Sequence, residues 1–180
     1  MTTSQNGASM ENSHELFREI VDRCHKKSLD QWIFNSATSH AAYLLQKLLQ
    51  AAAKRKRGIR MISGRLERLV YDQLTDALQK CMDAEVEMDV VVLDGVDGGE
   101  EGNVFYRKLR AYPRARRYAP APGGKKIRLP HMLVVGDSSL RYEVNRESHE
   151  ARANFNSPAI AGILIEHFDE LIGGDAVVSA

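Results

Sequence analysis

Apolar positions along the chain alternate between helical spacing and short continuous runs. Leu16, Ile20, Val21 and Cys24 stand three or four apart, which predicts a helix from about 13 to 27, capped by Asn12 with Glu15 three residues later. Trp32 to Phe34 reads as a short buried strand. Ala41, Ala42, Leu44, Leu45, Leu48, Leu49 and Ala52 then form a wide helical stripe, with Ser36 or Thr38 as its cap. Lys54-Arg55-Lys56-Arg57 ends that stripe, where cations favour a helix C-terminus, and Gly58 can close it. A nucleic-acid patch or a localisation signal is the alternative reading of the same four residues.

The alternation continues. Residues 59–63 read as a strand, 65–83 as one amphipathic helix, and 87–95 as a strand whose Val-Val-Val-Leu run suits a buried parallel position. Residues 100–112 form a helix with two acids at its start, 114–120 a short edge strand, and 119–126 (Ala-Pro-Ala-Pro-Gly-Gly-Lys-Lys) a mobile loop. Residues 131–136 and 140–144 make a hairpin around Gly136-Asp137. Residues 157–173 form the last helix, with Ser157 as cap and Pro158 at its first position. Helices alternating with short buried runs predict an α/β sandwich with a mixed, mainly parallel central sheet flanked by helices.

Composition narrows the class. The 180 residues are 43% hydrophobic and 27% charged, which suits one ordinary globular domain, placed at 13–175 behind a flexible 1–12 lead. No window offers a membrane span, and the polar N-terminus lacks the pattern of a signal peptide, so a cytoplasmic location is expected. Cys24 and Cys81 sit far apart in apolar patterns and read as buried thiols. No His/Cys spacing supports a metal, and no cofactor motif is present; the glycine-rich 95–102 lacks the P-loop lysine and carries three acids.

Net charge is only +1, but it is segregated. Asp83 to Glu101 holds eight acids and no base; Gly102 to Arg128 holds nine bases and no acid. The bases are Arg107, Lys108, Arg110, Arg114, Arg116, Arg117, Lys125, Lys126 and Arg128, with Phe105, Tyr106, Tyr112 and Tyr118 interleaved. Such a run can bind a phosphate backbone. It can equally be a solvated face, or meet the acidic block of a second subunit.

The order of elements, a histidine directly before the strand "MLVVG", and the later Ala153-Asn154-Phe155-Asn156 together resemble one half of the phospholipase D superfamily over roughly residues 30–173. That family's motif is His-x-Lys, four residues, then Asp, with a downstream Gly-Ser-x-Asn. In active members two such motifs meet: one histidine attacks phosphorus, the other protonates the leaving oxygen, and lysines hold the phosphate. His131 matches the nucleophile and Asn154 the downstream asparagine. Leu133 replaces the lysine, Ser138 the aspartate (Asp137 is one residue early), and Ala151-Arg152 the Gly-Ser pair.

A missing cation costs on the order of 3–4 kcal/mol of transition-state stabilisation. Arg141 and Arg152 are the candidate substitutes. The resemblance therefore implies a degenerate domain, a homodimer that binds a partner protein or nucleic acid without turnover, with a role in plasmid biology or DNA transfer by association. The alternative is an active, metal-independent phosphodiesterase or nuclease acting through His131 of each subunit.

Overall fold

The computed structural model describes residues 5–118, 131–145 and 150–173. The loop expected at 119–126, with Lys125 and Lys126, and Arg128 lie outside the described residues. The elements, in chain order, are α1 (Gln5–Lys27), β1 (Ile33–Asn35), α2 (Thr38–Arg55), β2 (Ile59–Ser63), α3 (Arg68–Tyr71), a 3₁₀ turn (Asp72–Leu74) and α4 (Thr75–Asp83). After these come β3 (Met88–Val92), α5 (Gly99–Gly102), α6 (Val104–Ala111), β4 (Ala115–Tyr118), β5 (Met132–Val135), β6 (Ser139–Asn145), β7 (Glu150–Asn154) and α7 (Pro158–Gly173).

The strands form one sheet in the order β1-β7-β6-β5-β2-β3-β4. It is mixed, but the expected parallel majority is corrected. Only β2·β3 and β3·β4 are parallel, whereas β1·β7, β6·β7, β5·β6 and β2·β5 are antiparallel. Short connections impose antiparallel pairing on β5·β6 and β6·β7, helical crossovers serve the parallel pairs β2·β3 and β3·β4, and β2·β5 and β1·β7 pair antiparallel across long connections.

Each buried strand feeds two cores through the pleat. Ile59, Met61, Met88, Val90, Leu133 and Val135 face α1, α2, α4 and α6, where Leu44, Leu48 and Leu78 are fully buried. Ile62, Val91, Met132, Val134 and Leu140 face α7, which contributes Ala161, Leu164 and Phe168. Burying a leucine or phenylalanine contributes about 1.5–3 kcal/mol, so each layer holds the sheet from its own side.

Local departures from the expected elements have local causes. α1 begins at Gln5 instead of 13, because no proline interrupts residues 5 to 27 and a nucleated helix propagates. In β1, Ile33 and Asn35 are buried, but Phe34 is 63% exposed, as strand alternation at a sheet edge requires. Neither Ser36 nor Thr38 caps α2. Ala37 holds the N-cap position with no side-chain hydrogen bond. Lys56, left-handed at φ 51°, closes the helix in place of Gly58.

The helix expected over 65–83 breaks at the 3₁₀ turn, which lets Val70, Leu74 and Leu78 all reach the core. Asn103 breaks the next one. Fully buried, it accepts from the Tyr106 N–H (2.9 Å) and donates to the Leu66 carbonyl (2.8 Å). Both cysteines are free and buried.

Candidate functional site

The β5–β6 hairpin, turned at Gly136 with φ 59°, sets the chemistry at its open end. Its register places Met132 opposite Tyr142 and Leu133 opposite Arg141, and the Glu143 N–H donates to the His131 carbonyl at 2.8 Å. Directly opposed residues share a face. His131, Leu133, Arg141 and Glu143 therefore all project toward α2.

There His131 Nδ1 meets Glu143 Oε2 at 2.6 Å, and both terminal nitrogens of Arg141 donate to Glu143 Oε1 at 3.3 and 3.4 Å. The side chains of Arg141 and Glu143 are only 6% and 8% exposed, while His131 is 24% exposed and opens the group to solvent. Burial alone would raise the Glu143 carboxyl. The hydrogen bond and charge of His131, with the charge of Arg141, outweigh burial and hold it below the ordinary glutamate value.

This trio lines a narrow cleft of about 50 Å³ together with Thr38, Ser63, Arg65 and Tyr71. Tyr71 donates to Ser63 Oγ at 3.2 Å, and Ser63 Oγ donates to the Arg65 carbonyl at 3.2 Å. Burial pushes the Tyr71 phenol above its usual value, so it acts as a neutral hydrogen-bonding group. With Nδ1 engaged by Glu143, chemistry at the His131 ring falls to Nε2. The carboxylate orients the ring, and Arg141 supplies a cation on the same face.

The residues weighed from the sequence separate clearly. Leu133 is 2% exposed and packed in the core. Arg141, straight across from it, is the substitute cation that reaches the cleft. Arg152 pairs with Tyr142 and Phe34 and stands over the Phe34 ring at 5.3 Å, so it lies on the other face of the sheet. Asn154 pairs with Leu140 on that same opposite face, donates to Asp30 Oδ1 at 2.8 Å, and does not line the cleft. Asp137 and Ser138 sit in the hairpin turn, which begins five strand steps or about 17 Å from His131.

Glu143 is the residue that sequence reasoning missed. Counting outward from the Gly136-Asp137 turn would have paired it with His131.

Part of the basic block is matched within the chain. Arg110 meets Glu100 and Glu101, Arg114 meets Glu85, and Arg116 grips Asp89 with two bonds of 2.6 and 2.9 Å. Lys108 donates to Gln79, and Arg117 donates to Tyr106 Oη and lies over its ring. Arg107 is exposed. Three of the six described bases of the block, Arg110, Arg114 and Arg116, thus meet acids of the 83–101 block of their own chain. Among the described residues no group of three or more His, Cys, Asp or Glu could hold a metal, and no helix is long and apolar enough to cross a membrane.

No family profile matches this chain, and no curated protein matches its sequence. Solved structures do match its fold. The phospholipase D family member Nuc from Salmonella typhimurium superimposes with a TM-score of 0.55 at 16% identity, over 83% of this chain and 97% of Nuc. Polyphosphate kinase from Porphyromonas gingivalis gives 0.60 at 14%, over 83% of this chain and 27% of the kinase. TrmBL2, an archaeal chromatin protein with a novel mode of DNA binding, gives 0.57 at 11%, over 97% of this chain. The chain spans 65% of the length of TrmBL2. The seven-stranded mixed sheet, its flanking helices and these neighbours together give the chain a phospholipase D-like fold.

Proposed function

We propose that this chain is a phospholipase D-like binding module that recognises a phosphate-bearing partner, nucleic acid first, and does not turn over phosphodiesters. One observation carries this reading: the lysine position is a buried leucine, and the cation facing it is already matched by Glu143. The cations that line the cleft, Arg141 and Arg65, are matched in number by the carboxylates Glu143 and Glu67, so the cleft lacks the surplus cation that a phosphorane-like transition state needs. The likeness in fold to Nuc and to TrmBL2 supports a partner of this class. Pairing of two copies is part of the proposal, since a half-sized domain supplies one histidine.

The test is hydrolysis of a generic phosphodiester and of DNA in EDTA by wild type and His131→Ala. The expected result is no turnover by either protein. A second reading, an active phosphodiesterase, is favoured by the 2.6 Å His131–Glu143 contact, which orients the ring as a nucleophile requires. EDTA-resistant turnover that His131→Ala abolishes would establish that reading and overturn the first.

A further inference from the structure

The C-terminal ends of α1 and α2 bring together cations that neither the cleft nor the acidic block uses. The two helices lie parallel. His14 meets His40, Asp22 meets Tyr43 and Lys47, and Ser28 meets Arg55, each contact advancing along both chains. Their last turns therefore end side by side, presenting Lys26 and Lys27 from one and Lys54, Arg55, Lys56 and Arg57 from the other. All six are exposed.

Arg57 lies against the Gly136 turn, and Arg55 also reaches Ser139 Oγ at 3.5 Å. This end of the sheet is the one away from His131, since β5 runs from the cleft to Gly136. Among the described residues none of the six cations forms an ion pair, in contrast with Arg110, Arg114 and Arg116. Asp137, beside Gly136 in the hairpin turn, and Glu87, whose carbonyl lies against Gly58, are not paired with them.

Helix capping does not account for so many charges. Each helix end carries about −0.5 of an elementary charge, so two ends offset about one of six cations. Some five positive charges remain over. The field is felt by His25, whose imidazole is held below its ordinary value first by burial and then by Lys47, Arg55 and Lys54.

We propose that the adjacent ends of α1 and α2 form a surface that binds the phosphate backbone of duplex nucleic acid. Packed helix axes lie about 8–10 Å apart, so the two cation rows can meet phosphates facing each other across a groove roughly 6–12 Å wide. None of the exposed large apolar side chains, Leu16, Phe34, Leu69 and Ile163, lies within 26–28 or 54–58. A single strand would want stacking aromatics there, and a bilayer would want apolar anchors.

This inference rests on the nucleic-acid form of the proposed function but moves the contact to a different face. The test measures binding of a labelled mixed-sequence DNA duplex by anisotropy across a salt series. One variant removes four charges here (Lys26→Gln, Lys27→Gln, Lys54→Gln, Lys56→Gln). A control removes four elsewhere (Arg107→Gln, Arg110→Gln, Arg114→Gln, Arg116→Gln). Circular dichroism and melting curves show whether each variant is folded.

At about −0.9 per phosphate contact, the first variant should flatten the slope of log affinity against log salt by about 3–4, and the control by less than about 1. The reverse pattern overturns the inference and returns the contact to the 107–116 face. Failure of wild type to bind duplex at low salt overturns both the inference and the nucleic-acid form of the function. Binding to phosphatidylserine vesicles but not to duplex also overturns it, in favour of a membrane surface.

Discussion

The Arg141–Glu143 pair offers a stability measurement whose size follows from its setting. Both side chains are more than nine-tenths buried, and Glu143 also holds His131. Replacing Glu143 by Gln leaves the Arg141 cation uncompensated in the core; replacing Arg141 by Met leaves the carboxylate with His131 alone. Breaking one side of a buried pair costs about 3–5 kcal/mol, against at most about 1 for an exposed pair. The Arg141 contacts are long, at 3.3 and 3.4 Å, and His131 opens to solvent, so about 3 kcal/mol is expected for each single change.

The double variant leaves no stranded charge and should cost no more than either single, at most about 3 kcal/mol, making the two changes non-additive by about 3 kcal/mol or more. In a chain of this length each variant should melt about 6–12 °C lower. Urea unfolding at neutral pH, with the slope of each transition compared, measures the cycle. Singles that cost under about 1 kcal/mol, or a double that costs their sum, would refute the shared-carboxylate account.

Two further outcomes follow from the same structure. Glu143 is depressed in the fold, so its contribution is fully present above its unfolded value and is lost as pH falls through the lower folded one. Wild type should therefore lose stability on acidification more steeply than Glu143→Gln, and an unchanged acid limb in the variant would contradict the assigned role. The N-cap of α2 is vacant of side-chain bonds at Ala37, whose φ −110° and ψ 143° already suit a cap. Ala37→Ser should raise stability by about 0.5–1 kcal/mol, read as a higher urea midpoint.

The sequence was most legible where apolar period and element length agreed. The α2 stripe, the 59–63 strand and the Val90-Val91-Val92 run, buried at its first two positions, emerged where spacing placed them. β7 stayed hidden because its inward positions are Ala151 and Ala153, whose small side chains give almost no hydrophobic alternation. The split of 65–83 was invisible because an amphipathic stripe survives a 3₁₀ turn. The candidate site was half legible. His131 and Arg141 were in view, but Glu143 reads as an ordinary strand acid until hairpin register is counted. The charged blocks were obvious in composition. The ion pairs between them needed the fold, which lays β3 beside β4 and so brings Asp89 against Arg116.

The register of one hairpin also makes loop length a chemical property of this protein. Between Val135 and Ser139 the chain spends three residues on reversal, and every position of β6 inherits its face from that number. Adding or deleting one residue there would turn Tyr142 toward α2 and send Arg141 and Glu143 to the α7 side, without altering any residue of the trio. A natural variant that keeps His131, Arg141 and Glu143 but changes the turn by a single residue would therefore have lost the site, whereas a two-residue change would slide it along the strand and keep its face.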